Sequence, residues 1–97
     1  MARLWYYTGV EVTSYFVRQV LENPDREGIT IEVCEQVVEG GYVECIQQPC
    51  GRWRYYGRPE GFTHYLRVIV TEDGTGLFNA FFDTRYTRDQ QRRESEG

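Results

Sequence analysis

Lysine is absent from this chain: all eleven basic residues are arginine. An arginine-only basic set is compatible with genomic base composition, with thermal adaptation, or with anion recognition through the guanidinium fork. Histidine occurs once, at His64, and cysteine three times, at Cys34, Cys45 and Cys50. Three thiols cannot all pair within one chain, and their spacing forms neither a CxxC motif nor a His/Cys ligand set. We therefore expect no disulfide scaffold, no metal and no cofactor, with the cysteines buried or inert; Glu32 and Glu35 beside Cys34 also disfavour a thiolate. No apolar run approaches the ~20 residues of a membrane span, and Met1-Ala2-Arg3-Leu4 lacks the charged-then-apolar layout of a signal peptide. The expectation is a cytoplasmic protein with no membrane partner. No HExxH motif or nucleophile elbow is found, and Gly9 stands alone, so there is no phosphate loop.

What the chain does contain is enough apolar sequence for one core. At 97 residues it falls near the lower end of domain size, and a second core would be starved of apolar side chains. We read residues 1–87 as a single α+β domain and 88–97 as a polar C-terminal segment, either frayed or a solvated helix, because nothing after Arg88 is apolar. The net charge of -4 argues against an indiscriminate nucleic-acid binder. That average hides an asymmetry. Residues 1–50 carry three arginines against eight acids, a net of -5, whereas residues 51–97 carry eight against seven, a net of +1. Segregated charge allows a local anion-binding face on an acidic molecule.

The periodicity divides the chain further. Leu4-Trp5-Tyr6-Tyr7-Thr8 predicts a short first strand ended by Gly9. Val12, Phe16 and Val20 recur at helical spacing with Val17 and Leu21 beside them, and Asn23-Pro24-Asp25 stops that helix. Thr30 is placed as the N-cap of a second helix whose stripe is Ile31, Cys34, Val37 and Val38, ended by Gly40-Gly41. After Gly41 the period becomes two. Tyr42 to Gln47 and Arg52 to Arg58 predict a hairpin around Pro49-Cys50-Gly51, Thr63 to Thr71 is the strongest strand, and Leu77 to Asp83 returns after Glu72-Asp73-Gly74-Thr75-Gly76. The fold class is α+β: a short strand, two helices, then an antiparallel three-stranded meander.

Alternation within Arg52-Trp53-Arg54-Tyr55-Tyr56-Gly57-Arg58 puts Arg52, Arg54, Tyr56 and Arg58 on one strand face. Guanidinium forks bind phosphate and aromatic rings stack on unpaired bases, although a solvated edge strand paired with the acidic half of the chain would give the same pattern. Arg67 interrupts an apolar strand and is a candidate fixed charge. His64, at the start of that strand, is a candidate acid–base group or an ordinary exposed histidine. In the last strand Asn79, Phe81 and Asp83 share one face and Phe78, Ala80 and Phe82 the other. Asn79 and Asp83 next to Arg85 and Tyr86 form either a site at the end of the sheet or a strand-terminating hydrogen-bond network.

The strings Val20-Leu21-Glu22-Asn23-Pro24-Asp25-Arg26-Glu27-Gly28-Ile29-Thr30, Gly51-Arg52-Trp53-Arg54-Tyr55-Tyr56-Gly57, Tyr65-Leu66-Arg67-Val68-Ile69-Val70 and Asn79-Ala80-Phe81-Phe82-Asp83 together resemble an uncharacterised bacterial family grouped near the RelE/ParE/BrnT toxin superfamily. The resemblance spans most of residues 12–86. It implies a RelE-like β-α-α-β-β-β arrangement with the helix pair on one sheet face. It also implies a toxin of a toxin-antitoxin system, cleaving RNA, often on the ribosome, without a metal, and neutralised by a small antitoxin protein. By position and type, Arg54, Arg67, Arg85 and Tyr86 match catalytic residues, with Arg52, Tyr56, Arg58, His64 and Asn79 as substrate-binding candidates. RNA-cleaving members tend to be basic, whereas this chain is acidic and lysine-free. The alternative is a non-enzymatic interaction module or homodimer of the same fold, using the aromatic sheet surface as its interface.

Overall fold

The computed structural model describes residues 3–7 and 10–96, with side chains from Glu11 onward. The described residues form six strands and three α-helices in an α+β arrangement. Strands β1 (Arg3–Tyr7), β2 (Val10–Thr13), β3 (Tyr42–Gln47), β4 (Trp53–Gly57), β5 (Leu66–Val70) and β6 (Gly76–Phe82) lie side by side in the order β1-β2-β6-β5-β4-β3. All neighbours are antiparallel except β2 and β6, which run parallel through Glu11↔Gly76 and Val12↔Leu77.

Three expectations are corrected here. The amino-terminal strand is a hairpin of two, and the meander has four strands, not three, because the runs either side of Pro49 and of Glu72 each form a strand of their own. Val12, expected on the first helix, belongs to β2, where Val10-Glu11-Val12-Thr13 alternates β-favouring and polar residues. The helix begins one residue after that strand. Thr13 is its N-cap: the side-chain oxygen accepts the Phe16 N–H at 3.1 Å, and the hydroxyl donates to the Leu77 carbonyl at 3.3 Å. One threonine thus ends β2, starts α1 (Ser14–Phe16) and ties both to β6. The chain continues from α1 into a wider π-helical segment, Val17–Leu21, closed by Glu22 N–H donating to Val17 at 2.9 Å. The boundary of the first strand at Thr8 and Gly9 lies outside the described residues.

The second helix begins where its capping residue predicts. Thr30 accepts the Val33 N–H at 3.1 Å, α2 (Ile31–Gln36) follows, and a π-helical segment, Val37–Gly41, ends at Gly40 with φ of 136°. Only glycine adopts that backbone without strain, so the helix stops there and the chain is released into β3. The turn at Pro49-Cys50-Gly51 uses the same device, with Gly51 at φ of 99°.

The helices cover one face of the sheet. Phe16, Val20, Ile31, Cys34 and Val37 meet Val12, Leu66, Val68, Val70, Leu77 and Ala80 in one buried cluster, with Trp53, Tyr55 and Phe82 at its margin. The strand residues in this cluster alternate along β5, so Arg67 and Ile69 face the other way. Burial pushes the Cys34 thiol up to about 12, so it stays protonated and packs as an apolar group. With a thiol-specific disulfide reagent at pH 8 we expect exposed Cys50 to react first and half-buried Cys45 more slowly, with Cys34 silent until the chain is denatured. Three equally fast thiols would contradict this packing.

The polar segment after Arg88 is helical, forming the greater part of α3 (Thr84–Glu96). Its buried residue is Thr87, in the first turn, and the remaining turns are polar and largely exposed. No helix among the described residues is long and apolar enough to cross a membrane.

Candidate functional site

The sheet face turned away from α1 and α2 is ordered by strand register into rows. Ile46, Arg54, Ile69 and Asn79 are cross-strand partners in one row, and Glu44, Tyr56, Arg67 and Phe81 in the next. A bulge in the pairing of β5 with β6 lies between Ile69↔Asn79 and Val70↔Leu77. The bulge carries Phe78 off the helix-covered face. This corrects its expected grouping with Ala80 and Phe82: its ring stacks on Tyr15 at 4.8 Å and the Arg52 guanidinium lies 3.9 Å from its centre.

Arginines lie over these rings. The guanidinium carbons of Arg54 and Arg67 are 5.6 and 5.3 Å from the centre of the Tyr56 ring, and Arg67 is also 4.9 Å from that of Phe81. The Nε atoms of both are buried without a hydrogen-bond partner. Ile69, beneath them, is buried although no helix covers it. The arginine side chains therefore shield an apolar floor. Arg26 reaches the same region from the 3-10 turn Pro24–Arg26, donating to Asn79 Oδ1 at 2.7 Å and to the Ala80 carbonyl at 3.2 Å.

Two carboxylates accompany the arginines. Arg67 donates to Asp83 Oδ2 at 2.6 Å, with side chains 25% and 10% exposed. Burial pushes the Asp83 carboxyl up, but the Tyr86 N–H and the Arg67 guanidinium outweigh it and hold the group below the usual carboxylate range. Glu44 accepts a hydrogen bond from the Tyr86 hydroxyl at 2.7 Å. The Tyr86 ring stacks on Tyr56 with centroids 3.9 Å apart and meets Tyr65 edge-on at 5.2 Å. Burial and the Glu44 carboxylate push the Tyr86 phenol well above its ordinary value, so it remains a donor and cannot act as a base.

Compared with protein-family models, curated proteins and solved structures, the chain matches none.

Of the residues singled out from sequence, Arg52, Arg54, Tyr56, Arg67, Asn79 and Tyr86 come together on this face. Arg58 lies just beyond the end of β4, its guanidinium carbon 5.6 Å from the Tyr65 ring. Arg85 is exposed on α3, and its side chain has no ion pair among the described residues. His64 stands apart. It is exposed, its Nδ1 lies 3.0 Å from the Thr63 hydroxyl, and its ring approaches Phe82 on the helix-covered side.

Sequence reasoning missed Glu44, Arg26 and Phe78. Glu44 is opposite Tyr56 only because a bulge between Tyr42 and Glu44 resets the register of β3. Arg26 arrives from a turn remote in sequence. Among the described residues no group of three or more His, Cys, Asp or Glu side chains could hold a metal ion. The charge asymmetry of the sequence is echoed in the fold: α2 and the π-helical segment after it carry Glu32, Glu35 and Glu39 on the helical side, and Arg54 and Arg67 lie on the bare sheet face.

Proposed function

We propose that this chain is a toxin-like protein of the RelE/ParE/BrnT kind that binds single-stranded RNA on its bare sheet face and cleaves it without a metal. The observation that carries this reading is the pair Arg54 and Arg67, whose guanidinium carbons lie 5.6 and 5.3 Å from the centre of the Tyr56 ring on the sheet face turned away from α1 and α2. From β2 onward, the order of strand, helix pair and meander is compatible with the β-α-α-β-β-β arrangement, with β1, a fourth meander strand and α3 in addition.

The chemistry follows from the rows. A phosphodiester would sit over Arg54 and Arg67, with neighbouring bases against Phe78, Phe81 and the outer face of Arg52. Glu44, in the same row as Arg67, would take the proton of the ribose 2′-OH, which attacks phosphorus. The two guanidinium groups would stabilise the charge that develops on the phosphoryl oxygens as the bond to the 5′ oxygen breaks, water protonating the leaving oxygen. Tyr86 and Arg85, matched by the resemblance to catalytic positions, would act otherwise: Tyr86 by holding Glu44 before RNA arrives, Arg85 by attracting the strand from outside the face.

The test is RNA cleavage by the purified protein, with and without translating ribosomes. We expect Arg54→Ala and Arg67→Ala, each verified as folded, to cleave at least ~100-fold more slowly, the loss typical of removing one donor to a developing oxyanion. A protein with neither cleavage nor an effect on growth when expressed would favour the second reading, a non-enzymatic interaction module or homodimer. That reading is favoured by the edge strand β3, where Val43 and Tyr42 are 62% and 42% exposed. Under the toxin reading, a small antitoxin protein would be the partner.

A further inference from the structure

The first turn of α3 is placed as an obstacle to ligand binding. Within four residues, Asp83 to Tyr86, it engages three groups that face outward from one row of the sheet. The Tyr86 ring lies parallel to that of Tyr56, 3.9 Å away and tilted by 3°, where a base stacking on Tyr56 would have to lie. The Tyr86 hydroxyl holds Glu44 at 2.7 Å, and the Asp83 carboxylate holds Arg67 at 2.6 Å. These contacts are coupled, because the other oxygen of Asp83 accepts the N–H of Tyr86 at 2.9 Å.

Resting on the RNA-binding reading above, we propose that the Asp83–Tyr86 turn is an intramolecular cover over the Tyr56–Arg67 part of the site, displaced when single-stranded RNA binds. The geometry of the turn suits displacement. It is anchored at its two ends: the buried Asp83 donates its backbone N–H to the Tyr65 carbonyl at 2.9 Å, and the Thr87 hydroxyl accepts the Tyr65 N–H at 2.7 Å and donates to the Asp83 carbonyl at 2.9 Å. Thr87 thus serves as a pivot at the end of β5. Beyond it α3 is polar and carries no buried residue, so little packing opposes its movement. Arg52 and Arg54 lie outside the covered row and form no ion pair among the described residues, so a strand can settle on them first. Its next phosphate then competes with the Asp83 carboxylate for Arg67, and a base competes with Tyr86 for Tyr56. Stacking and charge pairing lost by the cover are replaced in kind by the ligand, which keeps the exchange close to balance.

The experiment compares wild type with Tyr86→Ala and Tyr86→Phe, each verified as folded, using anisotropy of a fluorescein-labelled single-stranded oligoribonucleotide. Hydrogen exchange is followed at the Tyr86 and Thr87 amides with and without the oligonucleotide. We expect Tyr86→Ala to bind at least fivefold tighter and Tyr86→Phe, which keeps the ring but loses the Glu44 bond, to fall between. We expect oligonucleotide binding to speed amide exchange at both positions. Binding by Tyr86→Ala alone would support the cover in its strongest form. Binding by wild type with no gain in Tyr86→Ala, or with exchange unchanged or slowed, would make the turn part of the binding face and overturn the cover while leaving the RNA-binding reading in place. No binding by either protein would overturn both.

Discussion

Asp83→Ala should cost the domain about 3 kcal/mol, since removing one partner of a buried pair strands the other charge and the helix loses its capping acceptor as well. The carboxylate bonds Arg67 with one oxygen and the Tyr86 amide with the other, while its side chain is 10% exposed. Asp83→Asn should recover part of the loss, because asparagine still caps a helix but cannot neutralise the guanidinium. Urea denaturation at neutral pH measures both. The pH dependence has a definite sign. Asp83 is held below the ordinary carboxylate value in the folded protein. Its contribution is therefore complete above the unfolded value of ~3.9 and is lost as pH falls below that, through the native value. The stability gap between wild type and Asp83→Asn should be full at neutral pH and narrow in acid below ~3.9. A gap that stays constant into strong acid would mean that Asp83 is not ionised against Arg67.

Phe16→Ala should be more damaging still, by about 4 kcal/mol. Phe16 is wholly buried and is the largest of the fully buried side chains among the described residues. It closes the first turn of α1 over β6, so truncation leaves a void bounded by strands that cannot collapse inward. With a total stability on the order of 5–15 kcal/mol for domains of ordinary size, this change brings a small protein close to unfolding at physiological temperature. Phe16→Leu, which fills most of the volume, should lose less than half as much. Midpoints in urea, at unchanged slope, separate these outcomes. A loss under about 1 kcal/mol for the alanine variant would show that α1 is not packed on β6 in this way.

The elements that could be read from the sequence were those with local causes. Thr30 caps α2 through its own side chain, and Gly40 and Gly51 turn the chain through their own backbones, so neighbouring residues suffice to locate them. Val12 shows where that logic stops. Its spacing to Phe16 and Val20 satisfies a helix, and only pairing of Val12 with Leu77, far along the chain, makes it a strand residue. The same division holds for the candidate site. Alternation placed Arg52, Arg54 and Tyr56 on one face, but the bulges that bring Glu44 opposite Tyr56 and turn Phe78 toward Arg52 have no local signature. Tyr86 is singled out by the resemblance, but its bond to Glu44 and its stacking on Tyr56 have no signal in the residues around it. Those partners lie on strands that reach it only in the folded chain.

The parallel pairing of β2 with β6 has a consequence for how the protein comes into being. Val12 and Phe16, near the start of the chain, share their core with Leu77 and Ala80, so nothing emerging earlier from the ribosome can seal it. A nascent chain would expose α1, α2 and the first meander strands without a finished sheet until β6 has been translated. Closing contacts so distant in sequence also slows the search for them. Arg54 and Arg67 are made before β6, yet Asp83 and Tyr86 follow immediately after it, so the assembled arginine face and the turn that covers it would appear almost together. On this timetable the growing polypeptide never presents a finished sheet in which Arg67 lacks its carboxylate partner.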